Sequence, residues 1–169
     1  EKSEHFKLRV TFSKPACFVG EALTLQVTWF LQRDVRDYTF QVPLLKKTDL
    51  FHFEDIRPEK PNNGKLYRLN AGGDEVIATK GTAHLEGERY VTFTFKKAAV
   101  PKESGSFTFE KAIISCRALV GRRSSRGRRD FFGDFLGSRG VYKRFVVPSN
   151  EPRLKVNPLP QKGKPDGFA

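Results

Sequence analysis

The stretch from 121 to 140, GRRSSRGRRDFFGDFLGSRG, holds the side chains of this chain that are best suited to bind another molecule. Its first half carries five arginines: Arg122, Arg123, Arg126, Arg128 and Arg129. Arginines at this density neutralise phosphates and give salt-sensitive nucleic-acid binding. The sequence shows no recognition helix and no evident row of exposed aromatic residues for base stacking. We therefore do not expect nucleic acid as a partner.

The second half of the same stretch combines acidic and aromatic side chains: Asp130, Phe131, Phe132, Asp134 and Phe135. Large apolar side chains in a long loop are unfavourable unless they pack back on the domain or against another protein. The alternative is a loop whose arginines are simply hydrated, because loops beyond about 12–15 residues are usually either functional or disordered. We take these acidic and aromatic side chains, together with the five arginines, as a candidate partner-binding site.

The net charge of the chain is +12, and it is unevenly distributed. Between Gly121 and Arg144, eight basic residues stand against two acidic ones, which accounts for half of the total. A positive charge of this size favours anionic partners, such as nucleic acid, lipid head groups or acidic protein surfaces.

Catalytic and metal-binding motifs are missing from the sequence. There is no G-x-S-x-G, no H-E-x-x-H and no phosphate-binding loop. His52 lies beside Glu54 and Asp55, but with no cysteine or second histidine nearby we interpret this group as an ordinary surface cluster. We predict that the chain is not an enzyme and binds no cofactor or metal.

The chain has two cysteines, Cys17 and Cys116, which are too few to form a metal cage on their own. They are either a disulfide or two buried thiols.

Apolar residues alternate with polar ones along most of the chain, which is typical of half-buried strands. The predicted strands cover 5–13, 22–31, 38–42, 65–70, 75–85, 89–100, 106–119, 141–147 and 153–156. Glu86 and Gly87 predict a hairpin turn between the fifth and sixth of these strands. Trp29 lies on an alternating strand, so we expect it in the core rather than in an exposed sugar-binding platform.

This pattern predicts an all-β fold, an immunoglobulin-like antiparallel β-sandwich that covers residues 1–157. Residues 119–140 are predicted to form a long basic loop before the last strand, and 158–169 a linker rich in proline and glycine. A closed barrel is the alternative architecture. No run of 18 apolar residues occurs, so no transmembrane helix is predicted.

Two motifs resemble a known family. Near the start, Phe18-Val19-Gly20-Glu21 precedes an alternating strand. Near the end, Leu154-x-Val156-x-Pro158-Leu159-Pro160 is followed by Gly163-x-Pro165-x-Gly167-Phe168. Together they are similar to the modules of the BatD, or bacterial oxygen-tolerance, family. The long loop that contains DFFGDF also resembles the Phe-rich loop of that family.

The resemblance implies a module of a membrane-anchored protein on the periplasmic side of the bacterial inner membrane, with its anchor outside this fragment. It implies a link to aerotolerance and envelope stress, and protein partners among the Bat proteins that contain von Willebrand A domains. It carries no catalytic residues. Periplasmic exposure would make a Cys17–Cys116 bridge chemically possible.

The A-domain partners suggest a role for the loop. Such domains often hold a Mg²⁺ with an open coordination position, which Asp130 or Asp134 could complete while the arginines steer an acidic surface towards the loop. The function predicted from the sequence is thus a non-enzymatic protein-interaction module. The alternatives are a carbohydrate- or ligand-binding sandwich and, third, a nucleic-acid binder that uses the basic loop.

Overall fold

The computed structural model describes residues 5–58, 66–122 and 140–160, without the side chains of 120–122 and 140. This described part contains one short 3₁₀ turn, Pro43–Lys46, and is otherwise built from strands and their connections. The strands are β1 (Phe6–Phe12), β2 (Ala16–Phe18), β3 (Leu23–Leu31), β4 (Val35–Gln41), β5 (Phe51–Asp55), β6 (Leu66–Ala71), β7 (Asp74–Leu85), β8 (Glu88–Pro101), β9 (Gly105–Thr108), β10 (Ile113–Arg122), β11 (Gly140–Pro148) and β12 (Arg153–Asn157). The prediction of an all-β fold is confirmed.

The strands form two sheets. The large sheet has the order β1-β3-β8-β7-β6-β4-β10-β11, with β5 paired to the second half of β8. The small sheet has the order β2-β12-β9. Most neighbours are antiparallel, but β4 and β6 are parallel, and so are β2 and β12. The arrangement is sandwich-like, with both sheets contributing to one core.

The core follows from the alternation in the sequence. Leu25 on β3 is completely buried, and Phe6, Leu8 and Val10 of β1 are almost so. The small sheet contributes Cys17, Leu154 and Val156 to the same cluster. Each fully buried large apolar side chain is stabilising by roughly 1.5–3 kcal/mol, so burial of this face of the strands drives the fold.

The two edge strands of the large sheet meet, and we call this contact the seam. Leu8 forms a parallel bridge with Ser149 directly after β11, and the rings of Phe6 and Phe145 lie 5.2 Å apart. The side chain of Asn150 then takes the place of a strand neighbour for Val10. Its Oδ1 accepts from Val10 N at 2.9 Å, and its Nδ2 donates to Val10 O at 2.9 Å. The curled sheet is therefore closed at the seam by one side-chain amide.

At a second place the large sheet separates instead of closing. Strands β4 and β6 share a single residue pair, Phe40 with Ala71. Beyond this pair the strands diverge, and the Tyr38 hydroxyl, which accepts from Asn70 N at 3.3 Å, spans the gap between them. The described edges of β4 and β6 that face each other have no other strand partner.

The structure corrects the predicted strands in two places. The strand predicted over 106–119 is two strands, because β9 joins the small sheet and β10 joins the large one. Between them Phe109 turns into the core, where its ring packs on those of Phe51 and Phe107. Strand β2 was not predicted. The hairpin at Glu86 and Gly87 is confirmed, and both residues have the positive φ that such a turn requires, 51° and 80°.

The bounds of the long basic loop also differ from the prediction. Strand β10 continues to Arg122, which pairs with Gly140 of β11, so the connection without described structure is 123–139 rather than 119–140. It precedes β11, and β12 closes the order of strands.

Candidate binding groove

Most of the candidate partner-binding residues predicted from the sequence lie outside the described residues. These are Arg123, Arg126, Arg128, Arg129, Asp130, Phe131, Phe132, Asp134 and Phe135. The remaining one, Arg122, is the last residue of β10. Their role in partner binding stays a prediction.

Cys17 and Cys116, expected to be either a disulfide or two buried thiols, are both buried free thiols in this structure. Cys17 lies on β2 of the small sheet, whereas Cys116 lies on β10 of the large one. Burial raises the pKa of both thiols, that of Cys116 to about 11, which keeps them protonated and unreactive at neutral pH. The mass of the intact protein without reductant tests the bridge directly, because a disulfide removes two hydrogens.

His52, Glu54 and Asp55 do not converge on one point. The Nε2 of His52 lies 3.1 Å from the Glu54 carboxylate, and both side chains are exposed. Asp55 instead accepts from Lys97 Nζ at 2.7 Å. Across the described residues, no three His, Cys, Asp or Glu side chains come together in a way that could hold a metal ion. That part of the chain also contains no apolar helix long enough to cross a bilayer.

The structure instead reveals a groove where β4 and β6 diverge, and we call it the split groove. It has a volume of about 630 Å³ and is bordered by β3, β4, β6, β7, β8 and the turn between β3 and β4. Because β4 and β6 pair only at Phe40 and Ala71, the inner faces of these strands are not covered at this end of the sheet. The groove is thus a direct result of the interrupted pairing.

The floor of the split groove is aromatic. Trp29 packs against Tyr38 and Phe93 with ring centroids 5.6 and 6.4 Å apart, and Tyr67 packs edge-on against Phe93 at 5.3 Å. Trp29 is only 3% exposed, so its predicted place in the core is confirmed. Its indole Nε1 is buried and has no hydrogen-bond partner in the described structure. The other three rings are half-buried and form the accessible part of the floor.

The rim of the split groove is cationic. Five basic side chains line it, against a single carboxylate, Asp34: Arg33, Arg36, Arg68, Lys80 and Arg89. Arg36 lies over the Tyr142 ring at 5.3 Å, and Arg68 is 3.8 Å from Glu75. Within the described residues, the side chains of the other three cations form no ion pair.

This composition determines which ligands the groove can hold. Arg and Lys side chains only donate hydrogen bonds, so they match groups that only accept, such as carboxylates and phosphates. The amide of Gln32 is already engaged, because it contacts His5 and Glu88 and donates to Arg89 O. The groove therefore suits an anionic ligand with an apolar or planar part, and offers little to a neutral polar one.

The split groove was not foreseen from the sequence. Its basic residues are spread over 33–89 as single charges on separate strands, and only the fold brings them together. The sequence drew attention to the arginines of 122–129 because they are adjacent in the chain. A usable signal existed in Lys80 and Arg89, which fall on the inward positions of their strands, where apolar residues are expected.

No family model matches this chain, and neither a curated protein nor a solved structure matches it. The resemblance to the BatD family therefore rests on the two motifs and the Phe-rich loop alone.

Proposed function

We propose that this chain is a non-enzymatic protein-interaction module, an immunoglobulin-like sandwich of a BatD-like protein that is anchored in the bacterial inner membrane and exposed to the periplasm. In this proposal the protein serves oxygen tolerance and the response to envelope stress. The observation that carries the interaction role is the split groove, where an aromatic floor and a cationic rim meet in one open depression. Depressions of this kind suit recognition of an anionic partner surface.

The two motifs behind the family resemblance support the proposal because their described parts are neighbours in the structure. Val156 of the closing motif pairs with Cys17 in the parallel β12–β2 ladder, and Val19 N donates to Asn157 O at 3.0 Å. A signature whose two halves lie far apart in sequence is more meaningful when the halves are neighbours in space. The described residues of the two motifs do not line the groove.

The Gly-Glu pair of the first motif has a clear local role. Gly20 has φ +84°, a conformation that favours glycine, and its backbone N–H donates to Pro101 O. The Glu21 carboxylate accepts from Phe18 N at 3.0 Å and from Lys14 Nζ at 2.6 Å. These bonds lower the pKa of Glu21 and fix the turn between β2 and β3.

The aromatic floor also favours a second candidate, a carbohydrate- or small-ligand-binding sandwich. Sugar binding needs a flat exposed ring together with acceptors for the sugar hydroxyls. The indole of Trp29 is buried, one face of Tyr142 is covered by Arg36, and the rim consists mainly of donors. These features favour the protein-interaction function over sugar binding.

A capture experiment with the native partners tests the proposed function. The chain, immobilised on beads, is incubated with detergent-solubilised bacterial membranes that contain the Bat A-domain proteins, with and without Mg²⁺. We expect capture of an A-domain protein. If Asp130 or Asp134 completes the metal site, the double variant Asp130→Asn/Asp134→Asn loses the Mg²⁺-dependent part of the binding. Failure to capture any A-domain protein under either condition would contradict the proposed partner class.

A further inference from the structure

We infer that the split groove binds an extended acidic peptide segment of a partner protein, one that carries carboxylates next to a large apolar or aromatic side chain. This inference rests on the proposed function and deepens it, because it assigns the binding site and the chemistry of the bound segment. It uses only side chains that the structure describes.

Three cations of the rim are available to such a segment: Arg33, Lys80 and Arg89. Arg33 lies in the turn after β3, Lys80 lies opposite Phe93 on β7, and Arg89 lies near the start of β8. All three are exposed, and in the described structure no carboxylate pairs with them. Their charge is therefore free to act on a partner.

The cations of the rim lie next to the aromatic floor, which explains why the bound segment should also carry a large apolar or aromatic side chain. Lys80 pairs with Phe93 across the β7–β8 ladder, and the Phe93 ring contacts both Trp29 and Tyr67. An apolar side chain that enters the groove therefore contacts the Phe93 ring, whose partner across the ladder is Lys80. Removal of one exposed ion pair weakens binding by only up to about fivefold, so a large part of the affinity must come from the apolar side chain.

The strand edges favour a peptide over other anions. On the sides that face each other, the described parts of β4 and β6 pair only at Phe40 and Ala71. Alternate backbone N–H and C=O groups of these edges are therefore not used by a neighbouring strand. A peptide backbone satisfies such groups by strand addition, which neither a phosphate backbone nor a lipid surface can do.

The connection that follows β10 adds to the positive charge near the groove. The chain leaves β10 at Arg122 and re-enters at Gly140, and the sequence between them has five arginines and two aspartates. The neighbouring Leu119 N donates to Asp34 O at 2.9 Å, at the wall of the groove. The net positive charge of this connection adds to the attraction of an acidic partner.

Trp29 provides a direct test, because it is the single tryptophan of the chain and lies in the groove floor. The full chain is titrated with a synthetic glutamate-rich peptide that contains phenylalanine, and its tryptophan fluorescence is followed. Matched peptides replace either glutamate by lysine or phenylalanine by alanine. A single-stranded DNA oligomer and an anionic phospholipid vesicle are titrated in parallel.

Two triple variants of equal charge locate the binding. The groove variant is Arg33→Gln/Lys80→Gln/Arg89→Gln, and the control variant is Arg9→Gln/Arg153→Gln/Lys155→Gln, whose exposed residues lie outside the groove. We expect a saturable fluorescence change with the acidic peptide for the wild type and the control variant. For the groove variant we expect affinity that is at least about tenfold weaker. Both altered peptides should also bind at least about tenfold more weakly to the wild type.

Several outcomes would overturn the inference. Equal affinity of the two triple variants would show that only net charge matters. Tighter binding of the DNA oligomer, or of the vesicle, with the same loss in the groove variant would assign the groove to that class of partner instead. Melting temperatures within a few degrees of the wild type show that the variants are folded.

The capture experiment separates failure of this inference from failure of the proposed function. If the groove variant still captures the A-domain protein as well as the wild type, the module binds its partner elsewhere and the groove assignment is wrong. If no A-domain protein is captured but the peptide binds in the groove, the proposed partner class is wrong and the groove assignment remains.

Discussion

The seam and the split groove are two places where the described strands of the large sheet depart from continuous pairing, and the two interruptions end in opposite ways. At the seam, the Asn150 side chain supplies Val10 with both hydrogen bonds of a missing strand neighbour. At the split groove, β4 and β6 share one residue pair, and the Tyr38 hydroxyl accepts a hydrogen bond from Asn70 N across the gap. One interruption is closed by a specific side chain, and the other is left open.

The two places differ in how their polar groups are satisfied. Cations lie beside both, since Lys7, Arg9 and Lys111 border the seam. At the seam, however, the N–H and C=O of Val10 both have a hydrogen-bond partner. The split groove carries exposed cations and an unpartnered buried indole N–H. Stable folding requires that buried polar groups are satisfied, so unsatisfied groups and uncompensated charge are more common where a protein serves binding. In our proposal the seam is a structural closure and the split groove is a binding site.

The largest expected effect on stability concerns Phe40, which pairs with Ala71 where β4 and β6 meet. Phe40 is 2% exposed and packs on Trp29 and Phe95 with centroids about 6 Å away. Phe40→Ala should lower the free energy of unfolding by about 3–5 kcal/mol, because it leaves a cavity where β4 and β6 are held together. Urea unfolding measures the loss. Phe18→Ala, at an exposed phenylalanine, should lower the free energy of unfolding by less than about 1 kcal/mol. Equal losses for the two variants would show that Phe40 does not hold β4 and β6 together.

The next effect concerns the seam. Asn150→Ala removes both hydrogen bonds to Val10 and should lower the free energy of unfolding by about 2 kcal/mol. Glu151→Ala, at the exposed neighbouring position, should change it by less than about 0.5 kcal/mol. Chemical unfolding of both variants supplies the comparison. A negligible effect of Asn150→Ala would mean that the seam does not hold the sheet closed.

A smaller effect is expected in the groove floor. Trp29→Phe removes apolar area, which is destabilising, but also removes a buried N–H that has no described partner, which is stabilising. The two contributions oppose each other, so the free energy of unfolding should stay within about 1 kcal/mol of the wild type. Circular dichroism during urea unfolding is a suitable readout, since the variant lacks tryptophan. A loss well above about 2 kcal/mol would indicate that Nε1 has a partner.

The smallest effect on stability is expected for the hydrogen bond between Tyr38 and Asn70, which spans the gap between β4 and β6. Tyr38→Phe removes the hydroxyl that accepts from Asn70 N at 3.3 Å, a long bond at an exposed site. The free energy of unfolding should fall by no more than about 0.5 kcal/mol, well below the effect of Asn150→Ala. A loss as large as that at the seam would erase the distinction between the two places. The same unfolding experiment serves for both variants.

The sequence was sufficient to predict the local pattern of this fold. Alternation over 5–13 and 22–31 predicted β1 and β3, and Trp29 was correctly expected in the core. These features depend on the two-residue period of a strand, which can be recognised within one stretch of sequence without knowledge of its neighbours. The break between β9 and β10 also had a signal, because Glu110 and Lys111 interrupt the alternation with two adjacent polar residues.

What the sequence could not supply are the relations between distant stretches. Strand β2 has three residues and forms because β12 lies beside it, so its own sequence carries no strand signal. The split groove exists because β4 and β6 pair at one residue pair and then diverge. The sequence of neither strand alone indicates where this pairing ends. The site prediction fell on residues 122–135 because their charges are adjacent in the sequence. The cations of the groove come instead from four strands and one turn, which only the fold brings together.

The seam has a consequence for the order in which the protein folds. Val10 and Asn150 are 140 residues apart, so this contact closes almost the whole chain. During synthesis β1 and β3 are complete long before Asn150 leaves the ribosome, and β1 must wait with one edge unpaired. Contacts of such high sequence separation slow folding, because the entropy of a long loop is lost before the contact forms. We therefore expect the seam to form last and to open first, which makes the edge of β1 the point where misfolding and aggregation begin.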